Sequence, residues 1–174
     1  MATSNPPPAE TPTALAPRHE AIDTISGQIA AIDELIGLAT LSIRVFDIDL
    51  SMMGWNTVGR VERLAAFLRS SRKARVDLIV HDVRYLESRA ARLRNLHRQF
   101  SGVVTLCQTG AAARHALDPM VLVDARHYLH RFHIDRPRAA LGIEAPQEAQ
   151  LLSLRFDEIW ASREGEIPAT TLGL

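Results

Sequence analysis

The chain has 174 residues, of which 47% are apolar and 23% charged, and its 20 basic and 20 acidic residues balance to a net charge of zero. This length favours one domain with a full hydrophobic core. No apolar run approaches the roughly 20 residues that a membrane span needs, and the start lacks a basic region followed by an apolar one, so we expect a cytoplasmic protein. Cys107 stands alone, which excludes an internal disulfide and a cysteine-based zinc site.

The proline-rich residues 1–18 predict a disordered tail ahead of a domain over residues 19–164. Isoleucines at alternating spacings of three and four then predict a helix over residues 19–39. Alternating and β-branched segments predict three strands, with two amphipathic helices between them. The strands are predicted over residues 41–47, 76–80 and 103–107, and the helices over residues 58–73 and 86–100. Such alternation with short connections indicates parallel pairing through crossover helices.

A hairpin rich in polar side chains follows. The apolar run Met120–Val123 leads into Asp124, Ala125 and Arg126, and a second strand continues to His133. We predict a further short strand over residues 138–143 and a helix that begins at Pro146, whose fixed φ suits a first helical position. Residues 165–174 are predicted to be an extended tail.

Charge is distributed unevenly along the chain. Residues 58–100 hold eleven Arg or Lys and four Asp or Glu, whereas the remainder holds nine basic and sixteen acidic residues. The arginines from Arg60 to Arg98 could hold an anionic ligand or nucleic acid through charge alone. No aromatic residues interleave for base stacking, and solvated helix faces or self-association through opposite charges would also explain the asymmetry.

The order β-α-β-α-β, a hairpin, a strand and a helix resembles one half domain of the phospholipase D-like superfamily, an α/β fold with a mixed sheet flanked by helices. The segment Val121–Arg126 carries the likeness, because that family has a strand of three apolar residues and Asp, followed by a short turn and a second strand. Enzymes of the family join two such halves, so the resemblance implies a homodimer in which the motif-bearing faces meet.

The chemistry of that family requires His, Lys and Asp in the spacing His-x-Lys-x4-Asp, with His as the nucleophile that attacks phosphorus and Lys as the group that steadies the phosphoryl oxygens. Aligning the Asp with Asp124 places Leu117 at the His position and Pro119 at the Lys position. Neither side chain can form a phospho-enzyme or clamp a phosphate. The resemblance therefore implies a degenerate motif, which favours a protein without enzymatic activity and leads us to expect no cofactor.

Other residues could in principle supply a rearranged catalytic site. His115 lies two residues too far from Asp124 for the motif, and it could equally end a short helix from Ala111 and cap its last carbonyls. His127, His130 and His133 do not suit a metal, since alternate residues of a strand share a face and His130 points away from the other two.

Parallel sheets present their sites at the carboxyl ends of their strands. Asp47 and Asp49 end the first predicted strand, and His81 and Asp82 end the second, so these four could line one pocket together with His130 and Arg131. They could support acid-base chemistry there, or cap the following helices. The sequence thus favours a catalytically degenerate binding or scaffold module, with a histidine-based phosphodiesterase or nuclease and an anion or nucleic-acid binder as alternatives.

Overall fold

The computed structural model describes residues 15–169, in which eight strands form one mixed sheet. The strands are β1 (Arg18–Ile22), β2 (Ser42–Asp47), β3 (Arg75–Val80), β4 (Val104–Thr109), β5 (Met120–Val123), β6 (His127–His133), β7 (Arg136–Ile143) and β8 (Arg163–Glu166). The helices are α1 (Ile25–Leu38), α2 (Val58–Ser70), α3 (Arg84–Arg89), α4 (Ala91–Gln99) and α5 (Pro146–Ala161).

The sheet has the order β1-β7-β6-β5-β2-β3-β4-β8. Strands β2, β3 and β4 are parallel to one another, as the alternation of strands and helices predicts, and every other neighbouring pair is antiparallel. The predicted hairpin is β5 and β6. Asp124 and Ala125 both have a positive φ, 54° and 53°, which is the backbone of a tight hairpin turn with the twist that suits two adjacent strands.

Two hydrophobic cores lie on opposite faces of the sheet. The larger core packs α1, α2, α3 and α4 against one face, and the smaller one packs α5 against the other through Phe156 and Ile159. The isoleucine stripe of α1 belongs to the larger core, where Ile32 and Ile36 are buried, so it is an intramolecular surface. Within the described residues, no helix is long and apolar enough to cross a membrane.

The prediction of one helix over residues 19–39 is wrong at its start. Residues Arg18–Ile22 form β1, which pairs antiparallel with β7, and the helix begins only at Ile25. Thr24 caps it, because its Oγ1 accepts a hydrogen bond from the Gly27 amide at 3.0 Å. The isoleucine spacing continues across this boundary, so a local pattern could not separate strand from helix.

The helix predicted over residues 86–100 is interrupted at Ala90, which ends α3 and begins α4. Asn56, from the loop after β2, explains the break. Its side-chain oxygen accepts hydrogen bonds from the amides of Arg92 and Leu93, and its Nδ2 donates to the Arg89 carbonyl. A residue more than thirty positions away therefore caps both helix ends.

The tails differ from their predicted structure where the structure describes them. The predicted N-terminal tail includes Arg18, which lies in β1, and residues 1–14 of it lie outside the described residues. Residues 163–166 form β8 as the partner of β4, and residues 170–174 of the predicted C-terminal tail also lie outside.

Candidate functional site

Asp124 is held by the backbone at the start of β2. Its carboxylate accepts hydrogen bonds from the amides of Thr40, Leu41 and Ser42, each at 2.8 Å, and from the Thr40 hydroxyl at 2.7 Å. Burial raises the pKa of Asp124, but these hydrogen bonds outweigh it and hold the pKa below its usual value. The side chain that carries the family resemblance therefore fastens the hairpin turn to its neighbouring strand.

The two positions before the hairpin are fixed by main-chain hydrogen bonds. The Leu117 carbonyl accepts from the Ile134 amide at 3.0 Å, and the Pro119 carbonyl accepts from the Arg131 amide at 2.9 Å. Leu117 is partly exposed, and Pro119 lines a cavity at the start of β5. The backbone is thus fixed at the two positions where the resemblance places a nucleophile and a phosphate-binding cation, and both side chains there are apolar.

This cavity, which we call the β2 cavity, has a volume of about 200 Å³ and lies among the end of β2, helix α1, the loop of residues 48–56 and the β5–β6 hairpin. Most of its lining is apolar and comes from the sheet, α1 and the loop. The principal apolar residues are Ile32, Met53, Trp55, Met120, Val121 and Leu129. Met52 also lines it and is 54% exposed, so this side chain lies at the rim.

Two carboxylates enter the β2 cavity from the end of β2. Asp47 accepts hydrogen bonds from the Ile48 amide at 2.6 Å and from the Trp55 indole Nε1 at 3.3 Å, and Asp49 accepts from Ser51. Burial raises the pKa of Asp47, and the nearby Asp49 raises it further, against the lowering effect of the hydrogen bonds. Each oxygen of Asp47 retains an unused lone pair.

Gln28 and Arg131 complete the polar lining of the β2 cavity. Gln28 is 1% exposed, and its Nε2 has no hydrogen-bond partner among the described residues. Arg131 is also buried, but its guanidinium donates to the carbonyls of Ile134 and Arg136, at 2.5 Å and 3.0 Å. Gln28 therefore places an unpaired amide beside the cavity, and two of the five N–H groups of Arg131 are engaged in closing the β6–β7 connection.

His81 and Asp82 lie outside the β2 cavity. The His81 ring is buried against Phe46, and its nitrogens bond the Thr109 hydroxyl at 2.6 Å and the Ala116 carbonyl at 2.7 Å. The carbonyl can only accept, so Nε2 carries the proton and Nδ1 accepts from Thr109. Burial lowers the pKa of His81. Asp82 turns outward to Arg84, whose hydrogen bonds lower the pKa of Asp82 to about 2.

His130 lies on the opposite face of the sheet from the β2 cavity. Its Nε2 is 3.7 Å from Asp118, too far for a hydrogen bond, and Asp118 also contacts Arg155 of α5 at 3.3 Å. His115 is exposed and lines a separate cavity of about 140 Å³ with Arg155. No hydrogen bond joins its ring to a described residue, so it does not cap the single 3₁₀ turn at residues 111–113.

The structure thus divides the six predicted pocket residues into three sets. Asp47, Asp49 and Arg131 share the β2 cavity, His130 lies across the sheet, and His81 and Asp82 hold the ends of β3 and the following segment. His127 is buried on the other face from His130 and accepts a hydrogen bond from the Glu144 amide. Among residues 15–169, no group of three or more His, Cys, Asp or Glu side chains is arranged to hold a metal ion.

Arg60 is an exception in the arginine-rich segment because it is 2% exposed. Its guanidinium binds Asp33 at 2.9 Å and the Ile29 carbonyl at 2.7 Å, donates to the Met53 carbonyl and lies over the Trp55 ring. It therefore supports the wall of the β2 cavity. The other basic residues of the segment are exposed, and most lie on α2, α3 and α4.

Sequence reasoning missed Gln28, Trp55 and Arg60 as parts of this site. Gln28 looks like a polar position on the side of an amphipathic helix, and Arg60 looks like one more surface arginine. Trp55 offered the one available signal, since a tryptophan in a loop directly after two aspartates at a strand end is too large and apolar to be left in solvent without a reason.

Comparison with known proteins places the chain in a family. A family profile described as "Domain of unknown function (DUF7931)" matches residues 24–167. The chain belongs to this family. No curated protein matches it in sequence. The matched range begins at the cap of α1 and ends after β8, so the family's domain contains the β2 cavity and both cores.

Solved structures share the fold at low sequence identity. The archaeal chromatin protein TrmBL2, whose structure is described as showing a novel mode of DNA binding, is 12% identical with a TM-score of 0.63, over 84% of this chain and 54% of TrmBL2. Nuc from Salmonella typhimurium, a phospholipase D family member, is 16% identical with a TM-score of 0.61, over 87% of this chain and 99% of Nuc. NucT from Helicobacter pylori is 11% identical with a TM-score of 0.53, over 86% of this chain and 99% of NucT.

These similarities confirm the phospholipase D-like fold that the hairpin indicated. The chain spans about half the length of TrmBL2 and nearly all of Nuc, so it corresponds to one phospholipase D-like unit.

Proposed function

We propose that this chain is a catalytically degenerate phospholipase D-like domain that acts as a binding module. The carrying observation is that two apolar residues, Leu117 and Pro119, stand where the resemblance places the nucleophile and the phosphate-binding lysine, and that Pro119 lines the β2 cavity. The division of the polar residues supports this, because His130 lies across the sheet and His81 is fully engaged in structural hydrogen bonds.

The competing function is a phosphodiesterase that uses a displaced histidine, His115 or His130. Hydrolysis of bis(p-nitrophenyl) phosphate by the full chain, with and without EDTA, tests it. We expect release of p-nitrophenol no faster than in buffer, and no difference among wild type, His115→Ala and His130→Ala. Turnover that either substitution abolishes would refute the binding-module proposal.

A second candidate function, nucleic-acid binding, is favoured by the exposed arginines of α2 to α4 and by the DNA-binding description of TrmBL2. Arg69 and Arg92 line a shallow groove between α2 and α4, and no acidic partner is found for either within residues 15–169. Fluorescence anisotropy with a labelled DNA duplex tests this surface. Binding should weaken steeply with salt, and no binding at low salt would remove this candidate.

Self-association is a further part of the proposal. The isoleucine stripe of α1 cannot mediate it, but Leu151 and Leu154 project from the outer side of α5 with more than half of their surface exposed. Light scattering after size exclusion, on wild type and on the double variant Leu151→Glu, Leu154→Glu, measures the assembly. We expect a dimer that the double substitution dissociates, and a wild-type monomer would contradict this part.

A further inference from the structure

The lining of the β2 cavity differs chemically from a phosphodiester site. Three carboxylates, Asp47, Asp49 and Asp135, line it, and the one cation, Arg131, donates to two backbone carbonyls. An anionic phosphate would meet two carboxylates at the end of β2 and a third, Asp135, at the exposed rim, against a single guanidinium that uses two of its five N–H groups on backbone carbonyls. Charge therefore disfavours the ligand class of the fold's enzymes and favours a cation.

The volume and the apolar walls of the β2 cavity indicate the size and polarity of the uncharged part of a ligand. At about 30 Å³ for each water molecule, the cavity has space for roughly seven waters, which corresponds to a small organic molecule. Its walls are apolar side chains of the sheet, α1 and the loop. Met52 and Met53, which are unbranched and adaptable, bound it on the loop side, so that bodies of somewhat different shape can be accommodated.

Gln28 supplies an independent indication that a ligand enters. An unpaired amide in a buried position costs on the order of 1–3 kcal/mol. Gln28 lines the cavity, so a turn of its side-chain amide would bring the enclosed Nε2 to a ligand oxygen. On the carboxylate side, Asp47 has unused lone pairs next to the indole that it already binds.

We propose that the β2 cavity binds a small amphipathic amine, with its ammonium group at Asp47 and Asp49, an apolar body among the methionines and aliphatic residues, and one oxygen acceptor at Gln28. This inference rests on the proposed function, since it assigns a ligand class to the degenerate site. A proton balance accompanies binding: because burial raises the pKa of Asp47, a bound cation would favour its ionised form and release any proton that it carries.

The two tryptophans of the chain provide a reporter and an internal control. The Trp55 indole N–H donates to Asp47 in the cavity, whereas Trp160 lies on α5 across the sheet. We would record ¹H–¹⁵N spectra of the ¹⁵N-labelled full chain and assign the two indole signals with Trp160→Phe. Four probes are titrated at millimolar concentration: leucinol, 3-methylbutylamine, which lacks its hydroxymethyl group, 4-methylpentanol, which lacks its amine, and diethyl phosphate.

We expect leucinol to shift the Trp55 signal and leave Trp160 in place, 3-methylbutylamine to bind more weakly, and the other two probes to give no shift. Asp47→Asn should weaken leucinol binding about tenfold, and Gln28→Leu about fivefold with no effect on 3-methylbutylamine. Asp49→Asn is a second carboxylate variant if Asp47→Asn fails to fold, and Asp157→Asn on α5 is the control that should bind as wild type.

No shift of Trp55 with leucinol, equal shifts of both tryptophans, or a larger response to diethyl phosphate than to leucinol would overturn the amine assignment. Retained leucinol affinity in both carboxylate variants would overturn it as well. Failure here is separate from failure of the proposed function, because the latter is measured by turnover of a phosphodiester and not by occupancy of the cavity.

Discussion

The β2 cavity and the arginine-rich surface of α2 to α4 use charge in opposite ways. In and around the cavity the two arginines, Arg60 and Arg131, are buried, and each has at least two partners at hydrogen-bond distance. On the helical surface the arginines are exposed and mostly without acidic partners in the described part of the chain. The buried groups hold the cavity in one shape, which can select a ligand by its fit. The exposed arginines instead contribute a long-range electrostatic attraction that salt weakens.

The largest expected effect is a loss of stability on substitution of the buried Arg60, compared with substitution of its exposed neighbour Arg63. Arg60→Met leaves Asp33 and the carbonyls of Ile29 and Met53 without their donor, so we expect a loss of about 3 kcal/mol in the free energy of unfolding. Arg63→Met, an exposed residue 3.9 Å from the same Asp33, should cost less than about 0.5 kcal/mol. Urea denaturation measures both, and equal losses would contradict the distinction.

Asp124 provides the next test, since its carboxylate accepts four hydrogen bonds that hold the hairpin turn to the start of β2. Asp124→Ala removes these and places alanine at φ 54°, so we expect a loss of about 2–3 kcal/mol. Asp124→Asn tolerates this φ and retains one oxygen, and should cost less. Urea denaturation measures both losses. An Asp124→Ala variant as stable as wild type would mean that the carboxylate does not hold the turn.

The pH dependence of Asp124 follows from its lowered pKa. A carboxyl whose pKa is lower in the folded chain than its unfolded value near 3.9 contributes stability that is complete above that value and lost as the pH falls through the folded pKa. Unfolding free energies measured from pH 5 downward should therefore decrease less steeply in Asp124→Asn than in wild type. Identical slopes would show that the turn carboxylate is not responsible.

The exposed arginines are tested by the salt dependence of DNA binding. Arg92→Ala combined with Arg94→Ala should weaken binding about tenfold and reduce the slope of log affinity against log salt by about two, provided that both contact phosphate. Arg138→Ala, an exposed arginine on β7, is the matched control and should retain the wild-type slope. An equal effect of the control would indicate nonspecific charge attraction.

Buried histidines should give the smallest effect. Burial lowers the pKa of His81, His97 and His127, so the unfolded chain binds more protons than the folded chain as the pH falls below about 6.5. Stability should therefore decline from pH 7 towards pH 5. His97→Gln should reduce this decline, while the exposed His133→Gln should not, and thermal unfolding across this pH range measures the difference.

The sequence predicted the fold where local pattern and pairing agree. The alternation of strands and helices, the hairpin at Asp124 and the helix start at Pro146 are all confirmed, because periodicity, turn residues and proline act over a few positions. The prediction failed where a contact with a residue distant in the sequence determines the secondary structure. β1 exists because it pairs with β7, and the break at Ala90 depends on Asn56.

The candidate site was predictable only in part for the same reason. The rule on strand ends brings Asp47 and Asp49 to one place, and the hairpin adds Arg131. The rule cannot tell which way a side chain turns at a strand end, and His81 and Asp82 turn away from the β2 cavity. Gln28 and Arg60 reach the site from helices α1 and α2. They belong to it because the sheet and the loop of residues 48–56 bury them, which a helical pattern alone does not reveal.

The most direct test of the central claim, that the phospholipase D-like fold here binds without cleaving, is a search for a phosphoryl-enzyme. The full chain would be incubated with bis(p-nitrophenyl) phosphate, from which a histidine nucleophile would displace one p-nitrophenolate. The mixture would be quenched in alkali to preserve the resulting p-nitrophenylphosphoryl-histidine and analysed by intact-protein mass spectrometry. We expect only the mass of the unmodified chain, because Leu117, at the position where the resemblance places the nucleophile, has an apolar side chain. A phosphoryl adduct that disappears in His115→Ala or His130→Ala would contradict the claim and establish a displaced catalytic site.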